Sequence, residues 1–448
     1  MIRARFLAPA AVVALFFLYF FGITRSGLLG PDEPRYAAIG RAMAATGDWI
    51  TPRLWGQPWF EKPALLYWMT AAGFKLGLGP DLAPRLPVAL ASVAFLVYFF
   101  VVSRREFGDR VAWYASAILA TSAGWLVYTR VAITDLPMSA AFAAAMLAIF
   151  AAAAGTLAFV VAGALLGLAV LAKGLVPLVL LAPALWFLRH RIRDLAMLFA
   201  AAIVIAAPWY VLVTLRNGAP FIDEFFWKQH FGRFMNTALQ HQQPLWFYVP
   251  VLLVGLFPWT PLLALLFSRR LYKDVRARFL LAWFAWGLVF FSASRNKLPG
   301  YLLPLLPALA VLLGIALANI ARPRTLLFAC AALLGLIPAL AAMLPQALAA
   351  GVSRTTFRPD WIWILAGLAL GALCVVCPRD VAVTIIAACT TIAIAALVWR
   401  VYPVLDREVS GRALWRAQGA AITCLPPMPR SQRYSLQYYA GRTIRDCK

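Results

Sequence analysis

The sequence predicts an all-α polytopic membrane protein with roughly 13 transmembrane helices, on three observations. Apolar runs of about 20 residues, the length a helix needs to cross a bilayer, recur along almost the whole chain. Of the 448 residues 63% are hydrophobic and 13% charged, too little polar surface for a soluble protein of this length. The runs are continuous rather than alternating, which excludes a transmembrane β-barrel.

In chain order the spans lie near residues 7–24, 82–103, 111–129, 136–153, 156–172, 175–188, 195–215, 245–267, 279–294, 300–320, 325–345, 361–377 and 381–400. The first, behind Arg3 and Arg5, imitates a signal peptide, but no small-residue cleavage site follows it, so it reads as an uncleaved span. The short loops "SRREFGDR", "RHRIRD", "SRRLYKDVRAR" and "ARPRT" are basic, which places them in the cytoplasm. Basic residues placed in such loops explain a positive net charge, +24 for the chain, without any nucleic-acid partner. Residues 1–400 then form a transmembrane domain with two long external loops, 25–81 and 216–244. With an odd number of spans, residues 401–448 form a short external tail.

The first external loop breaks the charge rule. Between Arg25 and Arg85 it carries seven basic and five acidic residues on the side where cations are disfavoured. An interfacial helix pair meeting lipid headgroups is one explanation; a site for an anionic substrate is the other. Pro34 suits a first helical turn and Gly47 a helix end, while Pro63 opens a second helix running toward Gly77. Asp32-Glu33-Pro34-Arg35 and Glu61-Lys62-Pro63 thus both sit just before helix N-termini, where anions are favoured. Capping explains one acid per helix, but not the adjacent cations. Two helix starts and two cations framing an anion explain both.

Further charge lies at the outer ends of spans. "YTRVAITDLPMSA" holds Arg130 and Asp135, "SASRNKLPGYLLPLLP" holds Arg295, Lys297 and Tyr301, and the second external loop holds Lys228, His230, Arg233 and His241. Charges near a bilayer cost about 2.5–3.5 kcal/mol unless paired or used.

These motifs resemble the polyprenyl-phosphate-dependent membrane glycosyltransferases of the GT-C type, above all the aminoarabinose transferases of lipid A, with protein O-mannosyltransferases more distant. The match is dense over residues 30–70, patchy to about 305, and topological beyond. The resemblance implies a GT-C fold with two periplasmic juxtamembrane helices in the first loop, in a bacterial inner membrane with the active site on the periplasmic side. It implies transfer of a sugar, with inversion, from a polyprenyl (undecaprenyl) phosphate to a lipid or glycan acceptor such as lipid A. Asp32 matches the family's catalytic acid and Asp135 a second acid. Lys62, Lys297 and Tyr301 match contacts to the donor phosphate, and Arg35 and Arg233, charged residues of the two external loops, are expected to join them. Glu61 with His241 or His230 would hold a divalent metal, Zn or Mg, although two protein ligands fall short of the usual three or four for zinc. After the last span the aminoarabinose transferases carry a larger external domain than this tail.

Chemistry independently asks for these residue types. A leaving phosphate gains charge and needs cations, and a hydroxyl acceptor needs a carboxylate within reach of its proton. Two other readings fit the composition: a transporter or flippase of lipid-linked sugars, or a protein O-mannosyltransferase-like enzyme. Transporters place ionisable residues near the midplane on broken helices, whereas here Lys173 is the nearest such case. Cys330, Cys374, Cys377 and Cys389 fall in or near spans as packing residues, while an oxidising compartment permits a Cys424–Cys447 disulfide in the tail.

Overall fold

The structure, a computed structural model, describes residues 4–151, 155–232, 242–321 and 323–447. It is mainly helical. Among the described residues the only strands are two short ribbons, Arg53–Leu54 with Gln57–Pro58 and Cys424–Leu425 with Arg445–Asp446. Seven helices among the described residues are long and apolar enough to cross a membrane, or up to nine if each of two bent pairs is one span. The protein is a multi-span membrane protein. Three shorter apolar helices, Pro9–Phe20, Asp135–Ala151 and Trp361–Val376, accompany them.

Outer helices turn bulky apolar side chains outward: Ile203, Val204 and Leu215 on Ile192–Asn217, and Ile362 and Leu365 on Trp361–Val376, are exposed. In water such faces would aggregate; in a bilayer they meet lipid tails. The centre is the segment Pro299–Asn319, most of which is buried. Its helical part Leu306–Asn319 packs on Asp109–Thr121 and Val275–Ala293. Close helix approach is made with small residues. In "GALLG" Gly163 and Gly167 lie against the backbone carbonyls of Leu198 and Ala202, where a side chain would collide, so Thr156–Lys173 and Ile192–Asn217 meet almost backbone to backbone.

Both bent pairs break at the same place in space. Asp109–Thr121 and Ala123–Thr129 meet at 60°, and Leu245–Gly255 and Thr260–Phe267 at 117°. The Ala123 N–H, released by the first break, donates to Phe257 O at 3.0 Å in the second. Trp259 Nε1 returns a bond to Thr121 Oγ1 at 2.8 Å. Each break supplies partners for polar groups the other would leave orphaned in an apolar medium.

The first long loop forms two helices, Asp32–Thr46 and Leu65–Lys75. The first ends, as its sequence predicts, at Gly47 with φ +73°, a left-handed cap that glycine adopts without strain. The second starts two residues beyond Pro63. The pair packs at Gly40, where any side chain would run into Thr70.

The tail is more than a short extension. It forms the helices Tyr402–Glu408, Arg412–Gln418 and Arg430–Ala440, a disulfide between Cys424 and Cys447, and a small cluster of Ile422, Leu425, Leu436 and Ile444. Arg430–Ala440 lies on Asp32–Thr46. Buried Arg412 fastens the tail to the first loop, donating to Asp81 at 2.6 Å, Asp406 at 2.8 Å and the carbonyls of Thr24 and Arg25 at 2.9 Å.

Candidate active site

The two charged motifs of the first loop converge. Arg35, one turn into its helix, pairs with Asp32 on the same face and donates from Nη1 to Glu61 Oε2 at 3.1 Å. Its Nε donates to Pro31 O at 2.9 Å. Lys62 Nζ lies 3.6 Å from Glu61 Oε1. Burial opposes the charge on Arg35, but Glu61 and Asp32 outweigh it and hold its pKa above the ordinary value. Burial raises that of Tyr36, whose hydroxyl lies 3.5 Å from Glu61, with Asp32 and Glu61 adding to the shift.

Neither Asp32 nor any other side chain caps the helix Asp32–Thr46. The two adjacent acids instead divide into different tasks. Asp32 keeps 45% of its side chain exposed, whereas Glu33 is fully buried. Glu33 receives Arg85 at 2.7 and 2.8 Å, the Leu29 N–H at 2.7 Å and the Ala132 N–H at 2.9 Å. Every acceptor site a carboxylate needs is thereby filled. Through Ala132, Glu33 also fixes the turn that carries Asp135.

Asp135 opens the helix Asp135–Ala151 and pairs with Lys173 at 2.6 Å, whose Nζ lies 4.8 Å from the centre of the Tyr301 ring. Gly300 is required beside it, since a Cβ there would overlap Asp135 Oδ1 and the Tyr128 ring. Lys297, by contrast, turns to the backbone. Its Nζ donates to Ser294 O at 2.5 Å and Gln243 O at 3.0 Å, and burial lowers its pKa. Its neighbours Asn296 and Leu298 line the cavity described next; Lys297 does not.

All these elements surround one cavity of about 1060 Å³. Asp32, Arg35, Tyr36, Trp59, Glu61 and Lys62 come from the first loop, and Thr134, Asp135 and Lys173 from neighbouring helices. Pro220, Glu224, Lys228 and Gln229 come from the second loop, Asn296 and Tyr301 from the turn before the central helix, and Arg430 from the tail. Glu224 accepts from Lys228 at 2.9 Å and Gln229 at 2.8 Å. Sequence reasoning assigned no site role to Lys173, Glu224, Gln229 or Arg430. The one available signal was a charge just inside an apolar run, at Lys173.

Arg233 and His241 lie outside the described residues, as does the side chain of His230. Among the described residues no group of three or more His, Cys, Asp or Glu is placed to hold a metal ion, and Glu61 faces two cations. Of the ligands expected for a metal, only the Glu61 side chain lies among the described residues, and Arg35 and Lys62 engage it.

Residues 61–214 match the family model for dolichyl-phosphate-mannose-protein mannosyltransferase. The chain is 34% identical over 336 residues to the undecaprenyl phosphate-alpha-4-amino-4-deoxy-L-arabinose arabinosyl transferase 2 of Pseudomonas fluorescens, covering 70% of this chain and 57% of that protein. It is 33% identical to its counterpart from Pseudomonas aeruginosa UCBPP-PA14, covering 69% of this chain and 59% of the relative. The crystal structure of ArnT from Cupriavidus metallidurans bound to undecaprenyl phosphate superposes with a TM-score of 0.81 and 26% identity, over 99% of this chain and 86% of that one. In sequence and in fold the chain is similar to GT-C proteins of the aminoarabinose transferase type. Its matched part spans less than two thirds of the length of the two curated members quoted. In this chain the long charged first loop joins a helical membrane body and forms one wall of the cavity.

Proposed function

We propose that this chain transfers a sugar from an undecaprenyl-phosphate carrier to a lipid or glycan acceptor, such as lipid A, at the periplasmic face of a bacterial inner membrane. The observation that carries the reading is the meeting of Asp32, Arg35, Glu61, Lys62 and the Asp135–Lys173 pair in one cavity. Lys62 and Arg35 stabilise the donor phosphate, with Tyr301 on the same cavity; Arg233, expected to join them, lies outside the described residues. Lys297 supports this arrangement by bracing the Asn296–Tyr301 turn. An acceptor oxygen attacks the anomeric carbon opposite the phosphate, the carbon–oxygen bond to phosphate breaks, and undecaprenyl phosphate leaves with the bonding electrons. A single displacement inverts the centre. Asp32 takes the proton of a hydroxyl acceptor, or orients an acceptor that is already ionised. Asp135, held by Lys173, positions the sugar.

The same reading makes residues 1–400 the membrane domain and 401–448 a periplasmic segment, with 13 crossings. Parity supports that number. The first loop and the tail touch, through Arg412–Asp81 and Ser435–Leu28, so an even number of crossings separates them. The seven long helices, the two bent pairs, Asp135–Ala151 and Trp361–Val376 leave an odd number. The split helices Val176–Leu180 and Ala182–Phe187, taken as one crossing, make it even.

The experiment is transfer from undecaprenyl-phosphate-linked sugar to lipid A by purified protein. Asp32→Asn retains donor binding and loses transfer by about 10²–10⁴-fold. Lys62→Ala weakens donor affinity by about tenfold or more. Wild-type turnover retained by Asp32→Asn removes that residue from the chemistry. Donor flipping without any glycosyl product makes the chain a transporter.

A further inference from the structure

Four cations of the cavity wall meet carboxylates: Arg35 with Asp32 and Glu61, Lys62 near Glu61, Lys173 with Asp135, and Lys228 with Glu224. Arg430 differs. Among the described residues no carboxylate pairs with it, and its guanidinium lies 5.4 Å from the centre of the Tyr434 ring. The other neighbour of that ring is Arg35, at 5.3 Å. Tyr434 is therefore within cation–π range of both a cation of the first loop and a cation of the tail, contacts the ring quadrupole favours. The contacts form a row, Lys62–Glu61–Arg35–Tyr434–Arg430, with lysine at one end, the tail arginine at the other, and Asp32 on the central arginine.

From this row we infer that the tail completes the active site: Arg430 receives an anionic group of the acceptor, at the end of the row away from the donor phosphate. The inference rests on the proposed function, which assigns Lys62 to the donor. Two anions of like charge must be kept apart while their reacting atoms approach, and cations at the two ends of a row with a carboxylate between them do this. The tail is placed firmly enough for the task. Ser435 Oγ donates to Leu28 O at 2.9 Å, Tyr438 OH to Pro80 O at 2.7 Å, and Arg41 Nη2 to Tyr438 O at 2.7 Å. All three bonds join the helix that starts at Arg430 to the first loop. The acceptor so selected is a lipid or glycan bearing phosphate or carboxylate, and Arg430 is a specificity residue rather than a proton-transfer group.

The test measures binding of two probes to the full chain in nanodiscs: undecaprenyl phosphate, and lipid A with its phosphates intact or enzymatically removed. Wild-type protein prefers phosphorylated lipid A. Arg430→Ala lowers affinity for it by about tenfold or more, with undecaprenyl phosphate affinity changed less than about twofold. Arg430→Lys recovers part of the loss, and Lys62→Ala gives the opposite pattern. Equal binding of both lipid A forms by wild-type protein overturns the inference. So does an Arg430→Ala variant that keeps wild-type affinity, or one that loses both probes equally. Failure of the wild type to bind undecaprenyl phosphate at all counts against the proposed function itself and is read separately from the acceptor arm.

Discussion

Asp32 and Glu33 show how far adjacent identical chemistry diverges when environment differs. One carboxylate borders the cavity and keeps nearly half its surface accessible; the other is sealed among Arg85 and two backbone N–H groups. Removing one partner of a buried ion pair typically costs about 3–5 kcal/mol, so Glu33 belongs to folding and only through folding to activity. From sequence the pair reads as one acidic cluster, because the partner that separates them, Arg85, is 52 residues away. Gly300 gives a sharper test of the site. In Gly300→Ala the added methyl displaces Asp135 from Lys173, and misplacement of a reacting group by about 1 Å can cost about a hundredfold in rate. The expected outcome is a transfer rate lowered by about that factor with undecaprenyl phosphate affinity changed less than twofold. A variant turning over at the wild-type rate would show that Asp135 does not position the substrate.

Single helices were legible in the sequence because composition and length decide whether a segment can cross a bilayer. The segments read near 82–103, 195–215 and 381–400 correspond to helices Arg85–Phe107, Ile192–Asn217 and Arg379–Arg400. The two breaks were not legible: hydropathy sums side chains and is blind to axis direction, and the groups that stabilise each break, Ala123 with Phe257 and Trp259 with Thr121, are far apart in the chain. For the same reason the meeting of Arg35 with Glu61 followed from two motifs at like positions, while Arg430 gave no signal at all. The tail shows the limit most clearly. Its residues are too few for a robust core alone, and they fold by docking on the first loop and closing a disulfide. A bond across a sequence separation of 23 is worth about 3 kcal/mol in the chain-entropy model. Cys424→Ser with Cys447→Ser, or added reductant, should therefore raise hydrogen exchange over residues 422–447. Exchange around Arg412, which keeps Asp81 and Asp406, should change little. Unaltered exchange at both places would mean that docking alone holds the tail.

Over the whole molecule, charge and disulfide chemistry define two faces. The helix Arg85–Phe107, 23 residues long, starts where Arg85 is locked to Glu33 in the first loop and carries Arg104 and Arg105 in its last turn. At 1.5 Å per residue that is about 34 Å, enough to cross the hydrocarbon core. The loop face carries the cavity, the tail and the disulfide; the far face carries the basic turns. A disulfide persists on an oxidising side and short basic loops are retained in the cytoplasm, two independent rules that both support the proposed orientation. Single cysteines at exposed positions, introduced after replacing Cys330, Cys374, Cys377 and Cys389, test it directly. In intact spheroplasts a membrane-impermeant maleimide should label Gln57→Cys and Ala417→Cys and leave Arg105→Cys unlabelled until the membrane is permeabilised. Labelling of Arg105→Cys alone would put the cavity in the cytosol, out of reach of any periplasmic acceptor. Labelling of Gln57→Cys without Ala417→Cys would break the contact between loop and tail, and with it the even number of crossings and the role given to Arg430.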